Sequence, residues 1–203
     1  MPSTTLSADA LLAEFLACSA YLALGNAPSD AERLAPLVRQ RPLGEAHLQR
    51  TTLPGHITAS GFVVAQRTGR VLLIAHKRLG RLLQPGGHVE AGDASLLAAA
   101  SREVREETGV VVGDGQLIDI DIHTIPAGQR SLGGHEPEHD HYDFRFLFVV
   151  PDEGTLTPQD AEVHGCRWVA LDSSEARAAL GERSIRNVRA GLARLGQTLG
   201  TID

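Results

Sequence analysis

The run Gly87 to Val110, GHVEAGDASLLAAASREVREETGV, constrains this chain more than any other segment. It follows a Pro85-Gly86-Gly87 turn and places Glu103, Glu106 and Glu107 within one turn of a predicted helix. Positions i, i+3 and i+4 share a helix face, so three carboxylates are crowded together and repel one another. A positive partner is therefore expected over that face, and hard divalent cations take oxygen ligands of this kind. Asp93 and Ser95 suit the helix start, and Gly109 suits its end. Leu97, Ala100, Val104 and Thr108 are expected on the opposite, packing face.

The string Gly87, then Arg102-Glu103-Val104-x-Glu106-Glu107-x-Gly109-Val110, resembles the Nudix box. That box is the signature of hydrolases acting on nucleoside diphosphates linked to another moiety. The second half, REVREETGV, matches at every defined position. The first half is one residue longer than the usual spacing, and its glutamate is replaced by Asp93 or shifted onto Glu90. The resemblance covers roughly Gly55 to Asp172. It implies an α+β fold of the α/β/α sandwich type, a mixed sheet between helices.

Composition agrees with such a fold. The chain has 203 residues, 42% hydrophobic and 22% charged, enough for one domain with additions around a real core. A formal net charge of -6 argues against a polyanion-binding surface, so a nucleic-acid polymer is not an expected partner. Cys18 and Cys166 are far apart and form no CxxC pair, which fits a reducing compartment. The apolar stretch Ala10 to Leu24 is interrupted by Glu14 and lacks a basic leader, so neither a secretory signal nor a membrane span is expected. A cytoplasmic protein is the reading.

Residues 1–53 read as a helical N-terminal extension, with Leu11, Phe15, Cys18 and Leu22 on one stripe and a capping box at Ser29 and Glu32. Residues 54–172 read as the main domain, and 173–203 as a C-terminal helix packed on it. Strands are predicted over Ile57–Gln66 and Val71–His76, joined by a Thr68-Gly69 turn, then over Gln116–Ile125, 141–150 and Cys166–Leu171. The last helix is expected near Glu182 to Leu199 on the stripe Ile185, Val188, Leu192, Leu195 and Leu199. Dimerisation through the helical extension is a candidate assembly.

The resemblance implies hydrolysis of a phosphoanhydride bond in a small nucleotide, such as a nucleotide sugar, ADP-ribose or a nucleoside triphosphate, by a metal-activated water. Glu103, Glu106 and Glu107 are the expected metal ligands, with the Gly87 carbonyl added by the resemblance. Mg²⁺ is the expected cofactor, with Mn²⁺ as the alternative. Glu106 or Glu107 could serve as general base, and Arg102 would orient the acids. A base could also come from Gly134–Asp143, GHEPEHDHYD, where His139, His141 and Asp143 would share a strand face. One or two of these three face substrate, or they hold a second, transition-metal ion, or the segment is a solvated polar loop; a His-x-His pair is a recurrent ligand arrangement. HTIPA, EPEHDHYDFRFLF and HKRLGRLLQPGGH resemble a histidine-favouring bacterial branch of the family. Lys77, Arg78 and His88 are further candidates for phosphate or substrate contact; the arginines after Ser173 read as the solvated face of the last helix, with Arg183 or Arg186 reaching a substrate phosphate as the alternative.

Two other functions compete. A non-catalytic nucleotide sensor of this fold would need a DNA-binding appendage, and no basic recognition helix is evident. An isoprenoid diphosphate isomerase would need a reactive cysteine at the site, and neither Cys18 nor Cys166 has that context.

Overall fold

The computed structural model describes residues 48–129, 135–158 and 163–200. The helices expected before residue 48 lie outside them, as do Cys18, Ser29 and Glu32. The described residues form nine strands and two helices: β1 Gly55–Ala65, β2 Arg70–His76, β3 Arg81–Leu83, β4 Gly86–His88, α1 Leu96–Thr108, β5 Gly115–Ile125, β6 Gly128–Gln129, β7 His135–Glu136, β8 His139–Val150, β9 Val163–Ala170 and α2 Ser174–Arg194. The class is α+β, as expected. Seven strands form one mixed sheet in the order β3-β2-β1-β8-β5, with β4 paired to β1 and β9 to β2. Strands β6 and β7 form a separate ribbon, Gly128 opposite Glu136.

The predicted hairpin is present. Val64 pairs with Val71 and Ala65 with Arg70 across a turn closed by the Gly69 amide on the Ala65 carbonyl. Gly69 takes φ 62, a left-handed conformation that a side chain would oppose. Strand β2 also pairs antiparallel with β9, Ile74 lying opposite Cys166.

By contact density the chain divides into two compact units, with β1, β5 and β8 each contributing residues to both. Of the described residues, one contains 48–59, 88–96, 120–129 and 135–144; the other contains 60–87, 97–119, 145–158 and 163–200. The second unit holds an apolar core cluster: Phe62 and Val64 of β1, Val71 and Leu73 of β2, Ile118, Leu147, Val169 and Leu171, packed by Ile185, Val188 and Leu192 of α2. Each such side chain contributes about 1.5–3 kcal/mol when fully buried.

Helix α2 starts earlier than expected, capped by the Ser173 hydroxyl on the Ala176 amide. Gly181, at φ 78, interrupts it, so the continuous segment begins at Glu182 as the pattern suggested. Leu195 is not on the packing stripe: it is the C-cap and 44% exposed, because Gly196 at φ 64 ends the helix there. No described helix is long and apolar enough to cross a membrane.

Strand β5 carries a charged core position. Asp119 is only 1% exposed, accepts a 2.6 Å bond from Arg183 of α2, and lies 3.8 Å from Arg145. Arg183 therefore neutralises a buried carboxylate. The phosphate-binding reading does not describe the contact it makes.

Candidate functional site

Helix α1 carries the three glutamates, but the packing face differs from the expected one. Leu96, Ala99, Ala100, Val104 and Thr108 are buried, and so are Glu103 and Glu107. At 100° per residue the two acids sit near the middle of this buried arc, roughly a third of a turn from Val104 and Thr108 rather than opposite them. Glu106, at the edge of the arc, keeps 41% of its side chain exposed.

Buried carboxylates need partners. The Gly86 amide donates to Glu107 Oε2 at 2.8 Å. Arg102 Nη1 donates to Glu103 Oε1 at 2.9 Å and to Glu106 Oε2 at 3.0 Å, so one guanidinium nitrogen bridges two of the acids. Gly87 explains its own identity. A Cβ built there would lie 2.7 Å from Glu103 Oε1, so the carboxylate occupies the space a side chain would fill. The turn before the helix is closed by Asp93, whose carboxylate accepts the Glu90 amide at 2.8 Å while its own amide bonds the Glu90 carbonyl at 3.0 Å. Asp93 thus fastens the loop with Glu90. Gly109 ends the helix at φ 79, with its amide on the Arg105 carbonyl.

Cys166 of β9 has a sulfur 4.0 Å from the Thr108 carbonyl. Burial, then the nearby Glu107 charge, pushes its thiol pKa up. A raised pKa keeps the sulfur protonated, the opposite of nucleophile activation. Lys77 and Arg78 lie exposed on the turn that follows β2.

The other candidates form a second group, in the other unit. His56 of β1, His88 at the end of β4, His139 and His141 of β8 and His123 of β5 gather their rings together. Ring centroids are 5.0 Å apart for His56–His139, 4.8 Å for His56–His141 and 5.1 Å for His139–His141. His88 stands 5.1 Å from His56, and His123 stands 5.5 Å from His141. The two-residue strand period puts His139 and His141 on one face, as anticipated. Gly55 lets β1 approach β8 closely: a Cβ there would lie 2.6 Å from the Asp140 carbonyl. Asp143, also on that face, is buried and accepts the Thr58 hydroxyl at 3.3 Å.

Burial disfavours the charged imidazole. It holds His56 down at about 4, although a bond to the Thr52 carbonyl raises it. His88 is pushed to about 3 by burial, then by the Arg50 and His56 charges. His141 falls to about 2 through burial, then through His88 and His56. The involvement of His56 was not legible in the sequence; only the pairing of β1 with β8 brings it to the His-x-His pair.

The NUDIX domain family matches residues 55–188. Among curated proteins, the phosphatase NudJ of Escherichia coli K12 is 32% identical over 144 residues, 67% of this chain and 84% of that protein. Among solved structures, the NUDIX domain of Shewanella oneidensis NrtR complexed with ADP ribose has a TM-score of 0.50 at 18% identity, covering 68% of this chain and 87% of that one. The E. coli dihydroneopterin triphosphate pyrophosphohydrolase has a TM-score of 0.50 at 17% identity, covering 68% of this chain and 95% of that one. The two structural likenesses concern the fold.

Proposed function

This chain belongs to the Nudix family, hydrolases of pyrophosphate bonds, and on that premise we propose that it cleaves the phosphoanhydride of a nucleoside diphosphate derivative, with α1 as its catalytic element. The observation that carries the reading is the arrangement of Glu103, Glu106 and Glu107 around one Arg102 nitrogen and the Gly86-Gly87 backbone.

The donor set is made of hard carboxylate oxygens, which fits a magnesium-class ion. Mg²⁺, or Mn²⁺ in its place, held by the three acids and the Gly87 carbonyl, would neutralise phosphate charge and lower the pKa of a water. The chain's own residues then divide the work. Glu107 is fixed by the Gly86 amide and Glu103 by Arg102 and the Gly87 surface, so their oxygens hold position before substrate arrives. Glu106 is the acid with most solvent access, which suits it to take a proton from an attacking water. Arg102 holds Glu103 and Glu106 in register and is a positioning residue. Lys77 and Arg78, on their exposed turn, would meet phosphate oxygens of an incoming nucleotide. A cytoplasmic location and a small-molecule nucleotide as partner complete the proposal.

The test is a product-release screen over nucleotide sugars, ADP-ribose, dinucleotides and nucleoside triphosphates with Mg²⁺ or Mn²⁺. The NudJ relative is named a phosphatase, so release of inorganic phosphate is followed beside release of nucleoside monophosphate. Glu106→Gln should keep the fold by circular dichroism and lower turnover on the order of 10²–10⁴-fold. A wild-type protein that hydrolyses nothing in the screen refutes the proposal, and tight nucleotide binding without turnover would replace it with a sensor.

A further inference from the structure

Among the described residues, the group of three whose metal-ligating atoms all lie within 4.8 Å of one another is His56, His139 and His141. These are neither the box acids nor their neighbours on α1. We propose that the three rings form a binding site for a divalent transition ion of borderline softness, with Zn²⁺ the best match.

The hydrogen bonds around the rings support this directly. His139 Nδ1 lies 2.8 Å from the Pro137 carbonyl, and His56 Nδ1 lies 3.4 Å from the Thr52 carbonyl. A carbonyl only accepts, so each Nδ1 carries the proton and each Nε2 presents a lone pair. This is the outer-shell device that fixes the tautomer of a metal-ligating histidine. His139 Nε2 and His141 Nε2 face each other at 3.2 Å. Two nitrogens about 2.05 Å from one tetrahedral ion would be roughly 3.3 Å apart.

Without an ion the lone pairs cannot all be matched. A proton on His141 Nε2 can serve His139, but His56 Nε2 is buried with no hydrogen-bond partner. Leaving a buried acceptor unsatisfied is costly, and one cation satisfies three such acceptors together. The ligand chemistry separates this ion from the magnesium class: neutral imidazole suits zinc and its neighbours, whereas hard carboxylates suit magnesium. Charge compensation is at hand. Glu136 is buried and acts on both His56 and His88, and Asp121 accepts from His123 Nδ1 at 3.0 Å if that nitrogen is protonated. Arg50, 3.8 Å from Glu136, offsets part of it. Three protein ligands leave a tetrahedral ion one further position, for water or an oxygen ligand.

The experiment uses the full chain, stripped with a chelator and dialysed against Zn²⁺ in millimolar Mg²⁺ so that hard-oxygen sites are occupied. One retained zinc equivalent per chain is expected. Co²⁺ in its place should give the visible absorption of a tetrahedral nitrogen site. His139→Ala and His141→Gln should each weaken retention by at least about 10–100-fold, the range seen even when only an outer-shell partner is lost. The Glu103→Gln/Glu106→Gln double variant and a cysteine-free variant should retain the metal. Because a histidine variant can fail to fold, ring ¹⁵N spectra of the wild-type protein supply an independent readout: the Nε2 resonances of His56, His139 and His141 should move on zinc addition. Wild-type protein that retains no stoichiometric zinc, retention lost with the glutamates or cysteines, or unmoved Nε2 resonances would each overturn the site and leave the rings as packing.

Discussion

Gly87→Ala separates positioning from stability at the proposed active site. The new Cβ would lie 2.7 Å from Glu103 Oε1, 2.8 Å from its Cδ and 2.9 Å from Oε2. Ordinary heavy-atom contact is about 3.5 Å, so the carboxylate must retreat by roughly 0.7 Å. The obstructing atoms are the tip of a flexible side chain, and Gly87 has no positive φ, so the backbone accepts alanine. The lost conformational freedom of the unfolded chain contributes about 0.4–1 kcal/mol in favour of the variant. Weakening the Arg102–Glu103 bond costs about 1 kcal/mol. Stability should therefore change by less than about 1 kcal/mol in urea melts. Catalysis should not be spared, because a misplacement near 1 Å costs on the order of 10²-fold, or about 2.7 kcal/mol in the barrier. The assay is kcat/KM on the best nucleotide of the screen, for Gly87→Ala, Glu103→Ala and the double variant. If the glycine acts through Glu103, its substitution should cost nothing further once the carboxylate is gone. Full activity in Gly87→Ala, or equal losses with and without Glu103, would refute the reasoning.

Two predictions concern stability. Arg183→Met removes the 2.6 Å partner of a carboxylate that is 1% exposed, so it should destabilise the protein by about 2–4 kcal/mol in urea unfolding; a loss under about 1 kcal/mol would contradict the assigned pairing. The depressed pKa values of His56, His88 and His141 give metal-free protein a pH dependence of stability. Below their unfolded value of about 6.5 the unfolded chain binds more protons than the native one, so stability is full above that value and falls as pH drops from 6.5 towards 4. Each ring adds up to about 1.4 kcal/mol per pH unit over that range; urea midpoints that stay flat between pH 7 and 5 would count against it.

Sequence reasoning succeeded where the cause was local. Runs rich in Val, Ile and Leu on either side of Thr68-Gly69 specify a hairpin by strand propensity and turn chemistry, and the observed register follows. The acidic turn of α1 was visible for the same reason. Its burial was not, because the face a helix turns inward depends on what the sheet offers, and the start of β4 offers Glu107 the Gly86 amide. The ring cluster was half visible: His139 and His141 are two residues apart, whereas His56 and His88 reach them only through strand pairing. The burial of Asp119 was not legible. An aspartate alternating with isoleucines reads as solvent-facing, and its counter-ion comes from 64 residues away.

That last contact bears on where the chain could be shortened. Removing the segment after Asp172 would take away more than a greasy cover for Phe62 and Leu73: it would leave β5 with a carboxylate whose best-placed cation has gone. A minimal fragment would therefore have to carry Asp119→Asn or an equivalent neutral side chain before any loss of activity in it could be blamed on the missing helix.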